Sequence, residues 1–205
     1  MSRCYIVGAG ENYGLDFHVR EGDYVIAADG GFRYLDEAGI FPDMVVGDFD
    51  TLKYVPVHPE IVRLNPMKDE TDTWEAVRMG LKKGYREFHF FCCMGGRIEH
   101  TIANLQMLSR IAELGGKGYL YDDRNVLTAI KNSEIELTEK KNGFISVFSL
   151  SDESRGVSIR GLKYELEEAV LTNRYPLGVS NEYIGRPAYI SVREGSLLIV
   201  YPRSL

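Results

Sequence analysis

The chain has 205 residues, with 30 Asp and Glu against 24 Lys and Arg for a formal net charge of −6. That acidic balance argues against a nucleic-acid surface, and no window approaches the apolar length of a membrane span, so neither kind of partner is expected. With 44% hydrophobic and 11% aromatic residues the chain can build a packed core without disulfide staples.

The N-terminus offers only CYIVGAG before Glu11, too short for a secretory core and without a basic leader. Cys4, Cys92 and Cys93 have no metal-type spacing, so they read as reduced packing residues of a cytoplasmic protein. Over roughly the first 120 residues, short β-branched runs alternate with helical patterns, the signature of a mostly parallel sheet with crossover helices. The predicted strands are CYIVGAG, YVIAADG, MVVGDF, IVRLN, EFHFFCCMG and GYLYDD. A helix is predicted over 72–83, with Trp74, Val77 and Leu81 on one stripe. A second is predicted over 98–114, with Ile98, Ile102, Leu105, Leu108 and Ala112 on another.

Past about Asn125 the helical period gives way to short runs: EIELTE, GFISVFSL, GVSIRG, EEAVLTN and AYISVREGSLLIVY. The last reads as a hairpin turning at Glu194 and Gly195. The expected architecture is α/β over residues 1–124, a mostly parallel sheet with flanking helices, followed by an all-β domain over 125–205.

In an open parallel sheet, ligands collect at the carboxyl ends of the strands. Asp29 follows YVIAA, Asp48 and Asp50 follow MVVG, and Asp69 and Asp72 lie between IVRLN and the first helix. Carboxylates from distant parts of the chain at one rim suit a hard cation, since Mg²⁺ takes oxygen ligands and is shared with substrate phosphates. Local alternatives exist for two of them: Asp72 with Glu75 forms a capping box, and Asp29 before two glycines is a turn residue. If the chain stays extended, Asp48 and Asp50 project from the same face and repel unless paired or metal-bound.

The stretch MGGRIEHTIANL places Gly95 and Gly96 at a strand end, where the backbone can approach a ligand. Arg97 adds a planar cation suited to phosphate oxygens, and His100 and Asn104 share one face of the helix that follows. No G-x-x-x-x-G-K-[ST] occurs, which leaves Lys68 as the point charge nearest the acidic cluster. In the β region, Ser180, Asn181 and Tyr164 do not form a site by spacing alone. The segment MVVGDFDT also resembles the D-x-D-x-T nucleophile loop of haloacid-dehalogenase-like phosphatases, a reading that leaves GGRIEHTIANL without a role.

Taken in order, AADGG, GDFDT, KDETD, GGRIEHTIANL and GVSNEY closely resemble the thiamin pyrophosphokinase family across nearly the whole chain. The resemblance implies an ATP-binding α/β domain and a thiamin-binding β-sandwich, working as a homodimer with thiamin held between subunits. It implies Mg²⁺ on Asp48, Asp50 and Asp72, with Asp29 a further ligand or substrate contact. Thr71, Arg97 and the glycine turn would handle the nucleotide; Lys68, Glu99, His100 and Asn104 complete that expected set. Ser180 and Asn181 would contact the thiamin pyrimidine, and Tyr164 matches a position where relatives carry a stacking tryptophan. Glu99 stands where the family usually has Asp.

Overall fold

The computed structural model describes residues 2–65, 67, 70–138 and 142–203. The chain divides into two compact units: residues up to Met107 with Gly118–Asp123, and Leu108–Lys117 with residues from Arg124 onward.

The first unit holds strands β1 (Cys4–Val7), β2 (Tyr24–Ala28), β3 (Met44–Gly47), β4 (Ile61–Arg63), β5 (Glu87–Phe91) and β6 (Lys117–Tyr121). Its helices are α1 (Gly31–Glu37) and α2 (Asp72–Lys82), and α3 (Ile98–Glu113) starts within it. Strand order is β6-β5-β1-β2-β3-β4, with β1 parallel to both β5 and β2, and β3 parallel to β2 and β4. Every residue of β1 and β3 is buried, as continuous apolar runs in a sheet covered on both faces should be. On one face lie Tyr5, Val7, Val25, Ala27 and Phe91, packed with Leu35 of α1. On the other, α2 approaches so closely that a Cβ on its Gly80 would stand 2.6 Å from the Phe88 ring and 3.1 Å from Cys4 Sγ.

Between β1 and β2 there is no helix: residues 8–23 run as irregular chain, and Phe17 stacks on Tyr5 with ring centroids 4.3 Å apart. Apolar burial from a strap replaces the usual crossover helix there. Helix α1 escaped the sequence reading because it opens on glycines and has no side-chain cap. A Cβ on Gly31 would lie 1.9 Å from the Val7 carbonyl, so this first turn packs where only glycine fits.

The buried face of α3 corrects the expected stripe. Asn104, Met107, Leu108 and Ile111 are buried, at the i, i+3, i+4, i+7 spacing of one face, whereas Ile98 is 69% and Ile102 51% exposed. The apolar pattern supports two neighbouring stripes, and packing selects the one that includes Asn104 because its amide finds a carbonyl to bind.

The second unit contains two antiparallel sheets. One has the order β12 (Gly178–Glu182), β9 (Phe144–Ser149), β14 (Ser196–Pro202), β7 (Asn125–Lys131). The other has the order β11 (Leu166–Thr172), β10 (Glu153–Arg160), β13 (Ala188–Ser191), β8 (Glu134–Leu137). Ile145, Val147, Leu197 and Ile199 of the first sheet share one core with Val157, Ile159, Ala188 and Ile190 of the second, as in a sandwich. The expected hairpin at Glu194–Gly195 is instead an arch: β13 pairs with β10 and β8, and β14 with β7 and β9. Alternating apolar residues suit either arrangement, and here the two strands face each other across the core. Strand β7 was not anticipated. No described helix is long and apolar enough to cross a membrane.

Candidate active site

Three parallel strands of the first unit end on non-glycine residues with left-handed backbone: Asp29 (φ 46°) after β2, Phe49 (φ 64°) after β3 and Cys92 (φ 53°) after β5. Such outliers persist where surrounding structure holds them, and here they mark one rim of the sheet. The segment after β3 does not stay extended, which corrects the same-face argument for Asp48 and Asp50. Phe49 turns inward to a buried position, and the Asp50 N–H donates to Asp48 Oδ1 at 3.2 Å. The tight turn folds both carboxylates toward the exit of β2. Asp29, Asp48 and Asp50 each offer an oxygen within 4.8 Å of the others.

The close approach of β2 and β3 depends on Gly47, where a Cβ would lie 3.0 Å from the Asp29 Cα. Asp29 is 4% exposed, and its Oδ1 has no hydrogen-bond partner among the described residues. Burial pushes its carboxyl above the usual aspartate range; the nearby Thr51 hydroxyl and Gly30 N–H pull it back, and Asp50 and Asp48 push it up again. The Thr51 hydroxyl donates to Asp50 Oδ1 at 3.1 Å. A buried, unsatisfied carboxylate oxygen facing two more carboxylates is costly as it stands and suits a hard divalent cation, so the residues fit such an ion.

Asp72 is not in this group of three among the described residues. It occupies the first turn of α2, and the expected capping box is corrected: Thr71 is the N-cap, its Oγ1 accepting from the Trp74 N–H at 3.2 Å. Thr71 is extended (ψ 153°), as a cap requires, while Glu75 pairs with Arg78. Lys68 and Asp69 lie outside the described residues.

After β5, Gly95 (φ 79°) and Gly96 (φ 66°) form the turn ahead of α3. The exits of β1 and β5 stay zipped together, the Gly10 N–H donating to Cys92 O at 2.6 Å and the Glu11 N–H to Met94 O at 2.8 Å. Arg97 and Glu99 are exposed and paired at 2.8 Å. Glu99 is held below the usual range by its own backbone N–H and then by Arg97. His100 is exposed on the first turn of α3. Asn104 is buried, and its amide donates to Cys93 O at 2.6 Å, anchoring the helix to the strand exit. Burial pushes the Cys92 and Cys93 thiols up to about 12, which removes them as nucleophiles at neutral pH.

In the second unit, Ser180 and Asn181 lie within β12, where the register shifts between Gly178 and Asn181 and Ser180 is left-handed (φ 59°). This bulge aims the two side chains apart: Ser180 is exposed and Asn181 is buried. Asn181 Nδ2 donates to Tyr164 O at 2.6 Å, and its Oδ1 accepts from the Tyr164 N–H at 3.0 Å and the Glu182 N–H at 2.9 Å. The Tyr164 ring is exposed, with Lys163 Nζ 5.4 Å from its centroid.

Sequence reasoning missed Gly47 and Thr51 as parts of the acidic site, although both stand in the GDFDT motif, and it missed the Lys163–Tyr164 contact. Only the fold shows that Gly47 faces Asp29.

Comparison with known proteins identifies the family of both units. The model of the thiamin pyrophosphokinase catalytic domain matches residues 18–117, and that of the same family's vitamin B1 binding domain matches residues 132–197. Thiamine pyrophosphokinase of Bacillus subtilis (strain 168) is 28% identical over 182 residues, 85% of each chain. The crystal structure of the Bacillus subtilis enzyme superposes with a TM-score of 0.88 at 26% identity, covering 99% of this chain and 100% of that one. A thiamin pyrophosphokinase structure from Geobacillus thermodenitrificans gives 0.85 at 25% identity, covering 98% of each. Both domain models of one family, matched in order along a chain that carries the acidic rim and the β unit just described, establish that this chain belongs to the thiamin pyrophosphokinase family.

Proposed function

We propose that this chain transfers the terminal diphosphate of ATP to the hydroxyethyl oxygen of thiamin, giving thiamin diphosphate and AMP. The observation that carries the reading is the convergence of Asp29, Asp48 and Asp50 within 4.8 Å, with an oxygen on the buried member that has no partner among the described residues. Mg²⁺ is the ion this all-oxygen donor set suits; Asp48, Asp50 and Asp72 would hold it, with Asp29 as a further ligand or substrate contact. When bound, it neutralises phosphate charge.

The remaining work falls to the chain's own groups, and it is mostly positioning. The thiamin hydroxyl oxygen bonds to the β-phosphorus, the bridge from the β-phosphorus to the α-phosphate oxygen breaks, and AMP leaves with that oxygen. The hydroxyl proton passes to an aspartate oxygen not engaged by the ion, or to His100. Arg97 opens its fork to phosphate oxygens by giving up an exposed pair with Glu99, which costs little. The Gly95–Gly96 turn lets the backbone approach the nucleotide, with Lys68 and the Thr71 hydroxyl as further contacts and Asn104 holding the turn in place. On the thiamin side, Ser180 offers an exposed hydroxyl to the pyrimidine, and Tyr164 an aromatic face to the cationic thiazolium.

In this reading the chain acts as a homodimer in the cytoplasm. Exposed Phe144, Tyr175, Leu177 and Val179 in the second unit support the first point, and three buried free cysteines the second. A monomer mass by light scattering would remove the dimer. Incubation with Mg·ATP and thiamin tests the reaction: AMP is expected, whereas orthophosphate with ADP would point to a different phosphotransfer and overturn the assignment.

A further inference from the structure

The match of residues 132–197 to a vitamin B1 binding domain asks which surface of that unit receives a planar cation. Its exposed aromatics include Phe144, Tyr164, Tyr175 and Tyr189. Tyr164 differs in how its backbone is held. One buried side chain, Asn181, binds both its carbonyl (2.6 Å) and its N–H (3.0 Å), and the same Oδ1 also takes the Glu182 N–H at 2.9 Å. The Lys163 N–H donates to Glu182 O at 3.0 Å, and Lys163 Nζ binds both Glu182 carboxylate oxygens at 2.9 and 3.0 Å. Residues 163–164 and 181–182 therefore form one knot centred on the Asn181 amide.

We propose that Asn181 is a positioning residue for thiamin binding: its amide locks the Tyr164 backbone so that the ring stands ready for the thiazolium on the face away from Lys163. This rests on the thiamin reading given above. It assigns Asn181 a role through Tyr164, because its Oδ1 already accepts two backbone N–H groups and its Nδ2 donates to the Tyr164 carbonyl. The knot also fixes which side of the ring is used, since Lys163 Nζ, held by Glu182, already occupies one face. Removing the amide leaves the Tyr164 N–H and carbonyl and the Glu182 N–H without their partner. The turn then loosens, and its ordering cost falls on thiamin binding.

A double-mutant cycle read in steady-state kinetics tests this, with AMP release as the signal and thermal melting run in parallel. Asn181→Ala is expected to raise the thiamin KM about tenfold, with kcat and the ATP KM held within about twofold, because uniform binding is lost. Tyr164→Ala should raise the same KM, and the double variant should be no worse than Tyr164→Ala alone. Asn181→Asp keeps the acceptor and loses the donor to Tyr164 O; it should lie between wild type and Asn181→Ala, and it replaces Asn181→Ala in the cycle if that variant does not fold. Fully additive effects would mean that Asn181 touches thiamin independently, and a normal thiamin KM in Tyr164→Ala would leave nothing to position; either result overturns the proposal. No AMP from the wild type would sink the thiamin reading together with this one, whereas wild-type turnover with an additive cycle sinks this one alone.

Discussion

A Cβ on Gly47 would stand 3.0 Å from the Asp29 Cα and 3.2 Å from the Asp29 nitrogen. The last residue of β3 is thus shaped to let the exit of β2 pass, and the carboxylates after the two strands meet because of it. Gly47→Ala should force these backbones apart at a cost of about 1–3 kcal/mol, with turnover falling further than that loss of stability explains. Urea unfolding and AMP release on the same sample would check this; intact turnover would mean that the cluster tolerates a wider gap.

Asp50 is the exposed member of the group. If Asp50 holds the ion as proposed, Asp50→Asn removes a cation ligand and almost no packing, so stability should stay within about 0.5 kcal/mol while turnover drops about a hundredfold or more. Parallel losses in folding and activity would instead make this carboxylate structural.

Asp29 has the opposite balance. Its carboxyl is raised in the fold above the ordinary 3.8, so the folded state keeps a proton that the unfolded chain has already released. Stability conferred by the protonated form therefore falls as pH rises from the unfolded value through the raised folded one. A bound divalent ion removes that cost. Asp29→Asn should melt higher than wild type in EDTA near neutral pH, and Mg²⁺ should raise the wild-type Tm while leaving the variant almost unmoved. An equal Mg²⁺ response in both would take Asp29 out of the ion site.

His89 lies in β5, with Nδ1 2.8 Å from the Tyr121 hydroxyl, Nε2 3.0 Å from Glu87 Oε1, and its ring stacked on Tyr119. Burial holds the imidazole below its usual 6.5, more than Glu87 raises it. For Glu87, burial alone would lift the carboxyl, but His89 and Arg3 outweigh it and leave it lowered. Both groups are depressed in the fold, so their contribution is complete above the unfolded values and is lost as pH falls, first below 6.5 for His89 and then below 4.5 for Glu87. Urea midpoints should decline between neutral pH and pH about 5, and His89→Gln should flatten that decline. A wild-type slope that survives the substitution would assign the acid sensitivity elsewhere.

Ser180 projects from the β12 bulge with left-handed backbone. Because alanine accepts that backbone about as well as serine, Ser180→Ala should barely alter stability. It should raise the thiamin KM about three- to tenfold and the ATP KM much less, as loss of one hydrogen bond predicts. Equal shifts in both would mean that the hydroxyl does not read thiamin.

Much of this molecule was legible in one dimension. Continuous apolar runs such as MVVG mark strands buried on both faces, and the acids that follow them fall at the carboxyl rim because a parallel sheet leaves no other place for them. The loss of helical period past Asn125 likewise announced the β unit. The tertiary structure alone decided the partnerships. It set Asp29 against Asp48 and Asp50 through a left-handed Phe49 rather than an extended strand, and gave the cap of α2 to Thr71. It buried the Asn104 side of α3, made an arch of an apparent hairpin, and bound the Asn181 amide to Tyr164. Periodicity says which side chains share a face. Which surface covers that face, and which distant carbonyl or carboxylate lies within hydrogen-bonding distance, is settled only when the chain closes on itself.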